Sequence, residues 1–337
     1  MDYMKLGLTV GIEIHQELAT QHKLFCQCPP ELNKDDFEFT FTRKLRPAQS
    51  ELGEIDPAAL FEFLKGKTII YEADHKTSCL VEMDEEPPGL MDAEALDIGL
   101  TFSLMTKGTP VNEVQVMRKT VVDGSNTGGF QRTSVVSLGG EIELDGKIYH
   151  LEQVAIEEDA ARKISEDGDT ITYRLDRLGI PLIEVTTAPE MHNPEEVYNV
   201  AKRIGGILRA TGSVRRGLGT IRQDVNVSIL NGAIIEIKGA QDLGMISTLV
   251  EYEALRQATL VEIQGELDSR GVKPEDLPKD LHNVSELFEK TESKILLNSL
   301  KRGGKVYAVK LNGFNGFKQR FCLKQHTRFP AIAIVIY

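Results

Sequence analysis

The sequence predicts an α+β fold in which antiparallel strand pairs present a polar face and a few amphipathic helices stand between them. Three observations carry this reading. Leu8 to Ile14 alternates strictly, with Leu8, Val10, Ile12 and Ile14 on one face and Thr9, Gly11, Glu13 and His15 on the other. Asp145-Gly146 and Asn231-Gly232 are hairpin signals, each set between two strand-like runs. Asn193-Pro194-Glu195-Glu196 opens a helix with a capping Asn, a first-position Pro and acids in the first turn.

The chain has 337 residues, a length that suggests two domains of about 150 each. A hydrophobic content of 41% is ordinary for a globular protein with a real core. The net charge of −12 excludes a global basic field for nucleic acid, so RNA contact would fall to local patches such as Arg118-Lys119 or Arg215-Arg216. No run reaches the roughly 20 apolar residues of a membrane span, and the start lacks a basic-then-apolar leader pattern. Four unevenly spaced cysteines do not form a disulfide framework. The expectation is a cytoplasmic protein of a reducing compartment.

In the first strand, Glu13 and His15 share the polar face, a carboxylate and an imidazole on one edge. Next comes KLFCQC with Cys26 and Cys28, and downstream HKTSC with His75 and Cys79. Together they make a C-x-C plus H-x₃-C set that could hold one tetrahedral zinc, with free thiols as the alternative. Residues 29–60 read as polar and loop-rich. Asp56-Pro57 starts a helix, TIIYEAD is a strand candidate, and MDAEALDIGLTFSLMTKG reads as a helix capped by Gly108.

VQVMRKTVV reads as a strand running into DGSNTGGFQRT. This loop, with Gly124, Ser125, Asn126, Thr127, Gly128, Gly129 and the basic exit Arg132, could offer backbone N–H groups to phosphate oxygens. It is not a P-loop, and a plain hairpin loop is the simpler reading. After the Asp145-Gly146 hairpin, Glu157, Glu158 and Asp159 form an acidic cluster leading into AARKI, which reads as short helix. Beyond it, Gly179-Ile180-Pro181 delivers the apolar strand LIEV with the single carboxylate Glu184. Glu157 and Glu184, on separate elements, could converge on a hard cation such as Mg²⁺. Further on, Arg222, Asp224 and Asn226 share one strand face, with Glu236 and Lys238 returning beside them. A long amphipathic helix from Asp242 to Ser269 and a linker, GVKPEDLPKD, follow.

GIEIHQEL, KLFCQC, LRPAQSELGE, CLVEMDEEPP, DGSNTGGFQRT, IEEDAAR, YRLDRLGIPLIEV, GLGTIRQDVNVSI and IEIKGAQDL together resemble the GatB/GatE family of glutamyl-tRNA(Gln) amidotransferase proteins, and the archaeal GatE branch within it. The resemblance implies a cradle domain over 1–280, related to the glutamine synthetase and guanidino-kinase fold, with the site on the concave face of an antiparallel sheet. It implies that residues 281–317 begin an insertion domain like one in bacterial aspartyl-tRNA synthetases. The tail 318–337 departs from the family pattern, and a truncated or frameshifted reading frame is the expectation there.

The implied activity is ATP-dependent phosphorylation of the γ-carboxylate of Glu-tRNA(Gln). Ammonia from a partner glutaminase-like amidase, GatD, then displaces phosphate to give Gln-tRNA(Gln). His15, Glu157 and Glu184 match the family's metal and active-site positions, with Glu13 beside them for Mg²⁺. Arg222 and Lys238 are candidates for offsetting charge in the site, and the Gly124–Arg132 loop for binding ATP. Cys26, Cys28, His75 and Cys79 stay a zinc candidate. A non-catalytic tRNA-binding scaffold and an unrelated metallohydrolase are the competing readings.

Overall fold

The computed structural model describes residues 1–33, 37–47, 49, 52–276, 280–315 and 332–336. It divides into two compact units. One comprises Met1–Ser228 with Ile234–Glu251, and the other Ile229–Ala233 with the described residues from Tyr252 onward.

Along the chain, α1 (Tyr3–Leu6) precedes β1 (Thr9–Glu17), β2 (Phe39–Lys44), α2 (Pro57–Leu64), β3 (Thr68–Ala73) and α3 (Ala93–Met105). Then come β4 (Thr109–Pro110), β5 (Met117–Thr120), β6 (Phe130–Leu138), β7 (Glu141–Leu144), β8 (Lys147–Glu158), β9 (Arg162–Asp167), β10 (Thr170–Arg174) and β11 (Pro181–Thr187). Helix α4 (Pro194–Ala210), β12 (Ile221–Ser228), β13 (Ile235–Ala240) and α5 (Leu243–Ser269) follow. The helices begin where side-chain oxygens can cap them. Asp56 accepts from Ala59 N, Asp92 from Ala95 N and Asn193 from Glu196 N, which satisfies first-turn amides that have no partner within the helix.

A nine-stranded sheet organises the first unit, in the order β13-β12-β1-β11-β8-β6-β4, with β5 also on β6 and β7 on β8. Every pairing in it is antiparallel. Strand β1 lies near its middle, so Val10, Ile12 and Ile14 are buried on the face that α4 covers. Helix α3 covers the same side over β6 and β8. Gly99 lets it approach closely, because a Cβ there would stand 3.0 Å from Ile156 Cδ1 and 3.3 Å from Val136 Cγ2. Successive strand residues point to opposite faces, so α3 on Ile156 leaves Glu157 on the face away from it.

A smaller sheet, β2-β3-β10-β9, has β3 and β10 parallel and its outer pairs antiparallel. Its core is Ile69, Tyr71, Ile171, Tyr173 and Leu175. Tyr71 and Tyr173 donate to the carbonyls of Gly124 and Asp123, tying the DGSNTGG loop to this sheet. In the second unit, β14 (His282–Asn283), β15 (Val306–Lys310) and β16 (Ile332–Ile336) form an antiparallel sheet, with α6 (Lys294–Lys301) between the first two. Most of the atypical tail 318–337, namely 318–331 and 337, lies outside the described residues. Among the described residues no helix is long and apolar enough to cross a membrane.

Four expectations are corrected. The stretch 29–60 is not all loop: FTFTRK is strand β2, paired with β3. AARKI is not helical, since Arg162 starts β9, which pairs antiparallel with β10 through a turn at Gly168-Asp169 with Gly168 at positive φ. The VQVMRKTVV strand shrinks to Met117–Thr120. The α3 cap is Thr106, with Lys107 rather than Gly108 in the left-handed conformation, at φ 58. The Asp145-Gly146 turn carries positive φ at both residues, as its signal requires, whereas at Asn231-Gly232 only Asn231 does, in a longer connection between Ser228 and Ile235.

Candidate active site

Four neighbouring strands bring the polar residues together by register alone. His15 on β1 lies opposite Glu184 on β11 and opposite Arg222 on β12, while Glu13 lies opposite Asp224. Glu157 on β8 pairs with Leu182 on one side and Thr133 on the other, which places it diagonally from Glu184. Glu157 and Glu184 do converge. Both are buried, at 2% and 6% exposure, and both reach His15, whose Nε2 is 3.4 Å from Glu157 Oε1 and 3.6 Å from Glu184 Oε2.

A second cation, which sequence reasoning did not place here, completes the group. Lys119 Nζ stands 3.3 Å from Glu157 Oε2 and 3.6 Å from Glu184 Oε2. Thr133 donates to Glu157 and Thr186 to Glu184. The only sequence signal for Lys119 was its basic pairing with Arg118, read as an RNA patch. The strand divides that pair, and Arg118 stacks over the Phe130 ring. Arg215 of the other basic pair is likewise turned inward, onto Leu18 O and Glu17.

The electrostatics separate the two carboxylates. Burial pushes the Glu157 carboxyl up, helped by the Glu184 charge, to about 6. At Glu184 burial pushes the same way but is outweighed by the neighbouring His15 imidazole and the Lys119 charge, so its carboxyl is held low. Burial depresses His15, yet the two carboxylates win and raise it. Burial likewise works against the Lys119 ammonium, and the same pair raises it. Two interacting acids pushed apart in this way are a common mark of a functional site.

The donors suit a hard cation. Glu13, His15 and Glu184 can bring one ligand atom each to within 4.8 Å of one another. Glu184 Oε2 is buried without a hydrogen-bond partner among the described residues, an oxygen for which a metal would account. Glu13, Asp224 and Glu236 form a second such group at the β12–β13 end, where burial and the Glu184 and Glu236 charges raise Glu13. Lys238 serves that edge: its Nζ is 2.6 Å from Glu236 and 3.6 Å from Asp224, and the structure pairs it with neither Glu157 nor Glu184. Arg222 reaches inward instead, to Asp159 Oδ1 at 2.9 Å.

The DGSNTGG loop is tightly self-bonded. Ser125 N donates to Asp123 and Gly128 N to Asn126 Oδ1, while Thr127 donates to Glu82 O and Gly129 N to Asn126 O. Arg132 faces away from Glu157, onto Glu158 at 2.9 Å, as adjacent strand positions dictate. The cysteines also gather, but with a different fourth donor. Cys26, Cys28, Cys79 and Glu82 lie within reach of one metal, whereas His75 is exposed and bound to Glu38. Cys26 Sγ is 2.9 Å and Cys28 Sγ 3.8 Å from Glu82, and the buried Lys23 ammonium is 4.0 Å from it. The C-L-V-E spacing of Cys79 and Glu82 was the overlooked signal.

Comparison with known proteins is consistent with this geometry. A family model for the GatB/GatE catalytic domain matches residues 8–328. The glutamyl-tRNA(Gln) amidotransferase GatE protein of Pyrococcus abyssi is 52% identical over 315 residues, covering 94% of this chain and 49% of that protein. The GatE proteins of Thermococcus gammatolerans and Saccharolobus islandicus are each 51% identical over 94% of this chain, which covers 50% and 51% of their lengths. The chain thus spans about half the length of the curated relatives it matches. With a family model covering nearly its whole length, the chain belongs to the GatB/GatE catalytic-domain family.

Proposed function

We propose that this chain is the catalytic part of an ATP-dependent amidotransferase that converts Glu-tRNA(Gln) to Gln-tRNA(Gln) through a γ-phosphoryl-glutamyl-tRNA intermediate. One observation carries the reading. Two buried carboxylates from separate strands meet on one imidazole and one ammonium, with one carboxylate oxygen left without a hydrogen bond. The names of the relatives supply the substrate and the amide product. A partner amidase, GatD, would supply ammonia within a cytoplasmic heterodimer. The large antiparallel sheet would be the cradle shared with glutamine synthetase and the guanidino kinases.

Phosphoryl transfer between anions asks the protein for positioning and charge compensation more than for covalent chemistry. Glu13, His15 and Glu184 would hold Mg²⁺, which would supply positive charge for the transfer, with Glu157 beside them as a further oxygen donor. Lys119 offsets the two carboxylates when further negative charge enters. Glu157, titrating near 6, is placed to take the proton that the attacking ammonia sheds as phosphate leaves. The Gly124–Arg132 loop is the candidate phosphate-side wall. The test is calorimetric titration of MgATP into the chain, with circular dichroism on the same sample. Binding lost in Glu157→Gln and Glu184→Gln is expected. Undiminished binding in both folded variants would overturn the assignment.

We further propose that Cys26, Cys28, Cys79 and Glu82 hold zinc in a structural site. Three thiol sulfurs and a carboxylate match a tetrahedral donor set, and the site sits apart from the carboxylate pair.

A further inference from the structure

We infer that Asp159 is a positioning residue that holds the Arg222 guanidinium ready for a tetrahedral oxyanion, and that Arg177 takes over Asp159 when the anion engages Arg222. The inference rests on the phosphoryl-transfer reading above and names the group that would receive the transferring phosphoryl.

Asp159 is 1% exposed, and its backbone is clamped on both sides, its N–H to Ile180 O and its carbonyl to Gly179 N. Its Oδ1 accepts from Arg222 Nη2 at 2.9 Å and from Ala160 N at 2.8 Å. Its Oδ2 is buried and accepts no hydrogen bond among the described residues, although Arg177 Nε lies 3.6 Å away. Arg177 meanwhile donates to the carbonyls of Ala160 and Ala161. One fixed carboxylate therefore has a bonded guanidinium on one oxygen and a second guanidinium just out of reach on the other.

Arg222 stands opposite His15 on the neighbouring strand. Its bond to Asp159 is the one hydrogen bond its guanidinium makes among the described residues, so Nε and Nη1 keep donors for a ligand. Of the cations around the carboxylate pair, Lys119 is already shared between two acids. Arg222 makes its ion pair with Asp159, with the Glu17 and Glu157 charges also acting on it, and carries the planar fork that suits phosphate. A buried Asp left without a cation would be strongly unfavourable, which would resist any movement of Arg222 toward substrate. Arg177 at 3.6 Å removes that obstacle, since a small turn of the carboxylate exchanges one guanidinium for the other.

The experiment is a double-mutant cycle on the full chain with wild type, Asp159→Asn, Arg222→Met and the double variant. Sodium phosphate is titrated and followed by ³¹P line width, and MgATP is titrated by calorimetry. Each single substitution is expected to weaken phosphate about tenfold, the loss of one charge-assisted contact, and the double variant to lose no more than either single. Losses that multiply, a wild type that binds no phosphate, or singles that match the wild type would each overturn the inference. If Asp159→Asn does not fold, Arg222→Lys decides. It keeps a charge for Asp159 but no fork, so phosphate should weaken with the thermal midpoint held, and unchanged phosphate affinity overturns the inference. Phosphate behaving as expected while MgATP fails to bind would sink the phosphoryl-transfer reading and leave the anion subsite standing. MgATP binding that depends on Glu184 but ignores Asp159 would do the reverse.

Discussion

Replacing Lys119 by Met removes an ammonium that touches both buried carboxylates while keeping most of the side-chain volume. At 3.3 and 3.6 Å, each contact would be worth about 5 kcal/mol with an effective dielectric of about 20. Lys119 is half exposed, so solvent screening cuts this to about 1–2 kcal/mol, or about one pKa unit on the acid that yields first. That acid is Glu157, already raised to about 6 by burial and Glu184, and the substitution should carry it to about 7. The sign for stability follows. A carboxyl raised in the folded state keeps a proton that the unfolded chain releases. Its contribution is therefore whole below the ordinary value of 4.5 and is lost as pH rises through about 6. In Lys119→Met the loss should continue to about pH 7, leaving the variant about 1–2 kcal/mol less stable there than the wild type. Carbon-detected NMR of ¹³C-labelled glutamate carboxyls, assigned with Glu157→Gln, reads the midpoint directly. A Glu157 midpoint that stays near 6, or falls, would refute the placement of Lys119 as the cation governing this pair.

Three further outcomes test other links of the account. Gly99→Val should lower the thermal midpoint, at a cost of about 1–3 kcal/mol, because its added carbons meet Ile156 and Val136 at or inside contact distance; an unchanged melting curve would show that α3 can shift. Arg162→Met leaves the fully buried Asp176 carboxylate without its guanidinium. Urea unfolding should report a loss of about 3 kcal/mol, and a loss below about 1 would mean that the Asn33 and Arg177 amides satisfy Asp176 without it. Metal analysis of freshly purified chain should find one zinc, reduced in both Cys26→Ser and Glu82→Ala and unaffected by His75→Ala. Retention in Glu82→Ala would remove the carboxylate from the ligand set.

What the sequence disclosed, and what it hid, follows from the range over which each signal acts. Strand β1 was legible because one buried face forces strict alternation, and the same alternation put Glu13 and His15 together. Glu184 stood out as a lone charge in an apolar strand, and register with β1 did the rest. Lys119 was not legible: its strand is short with no buried residue, and its partner lies 38 positions away, so only the fold brings the two together. Strand β2 was missed because it alternates half-buried with exposed residues and buries none fully. His75 stood out over Glu82 because nitrogen and sulfur are the commoner zinc donors, whereas the chain folds Cys79 and Glu82 onto Cys26 and turns His75 outward. Asp159 stood out only as the last member of an acidic cluster. Its burial between Arg222 and Arg177 depends on strands that are distant in the sequence.

The measurement that bears most directly on the central claim is ADP formation from MgATP in the presence of Glu-tRNA(Gln) and ammonium chloride, with the amide product scored on the recovered tRNA. The wild-type chain should form ADP only when the mischarged tRNA is present and should yield glutaminyl-tRNA, and Glu184→Gln should lose both. Equal ADP formation with and without the tRNA, or product made as well by Glu184→Gln as by the wild type, would show that the carboxylate pair on this sheet does not activate the glutamyl group.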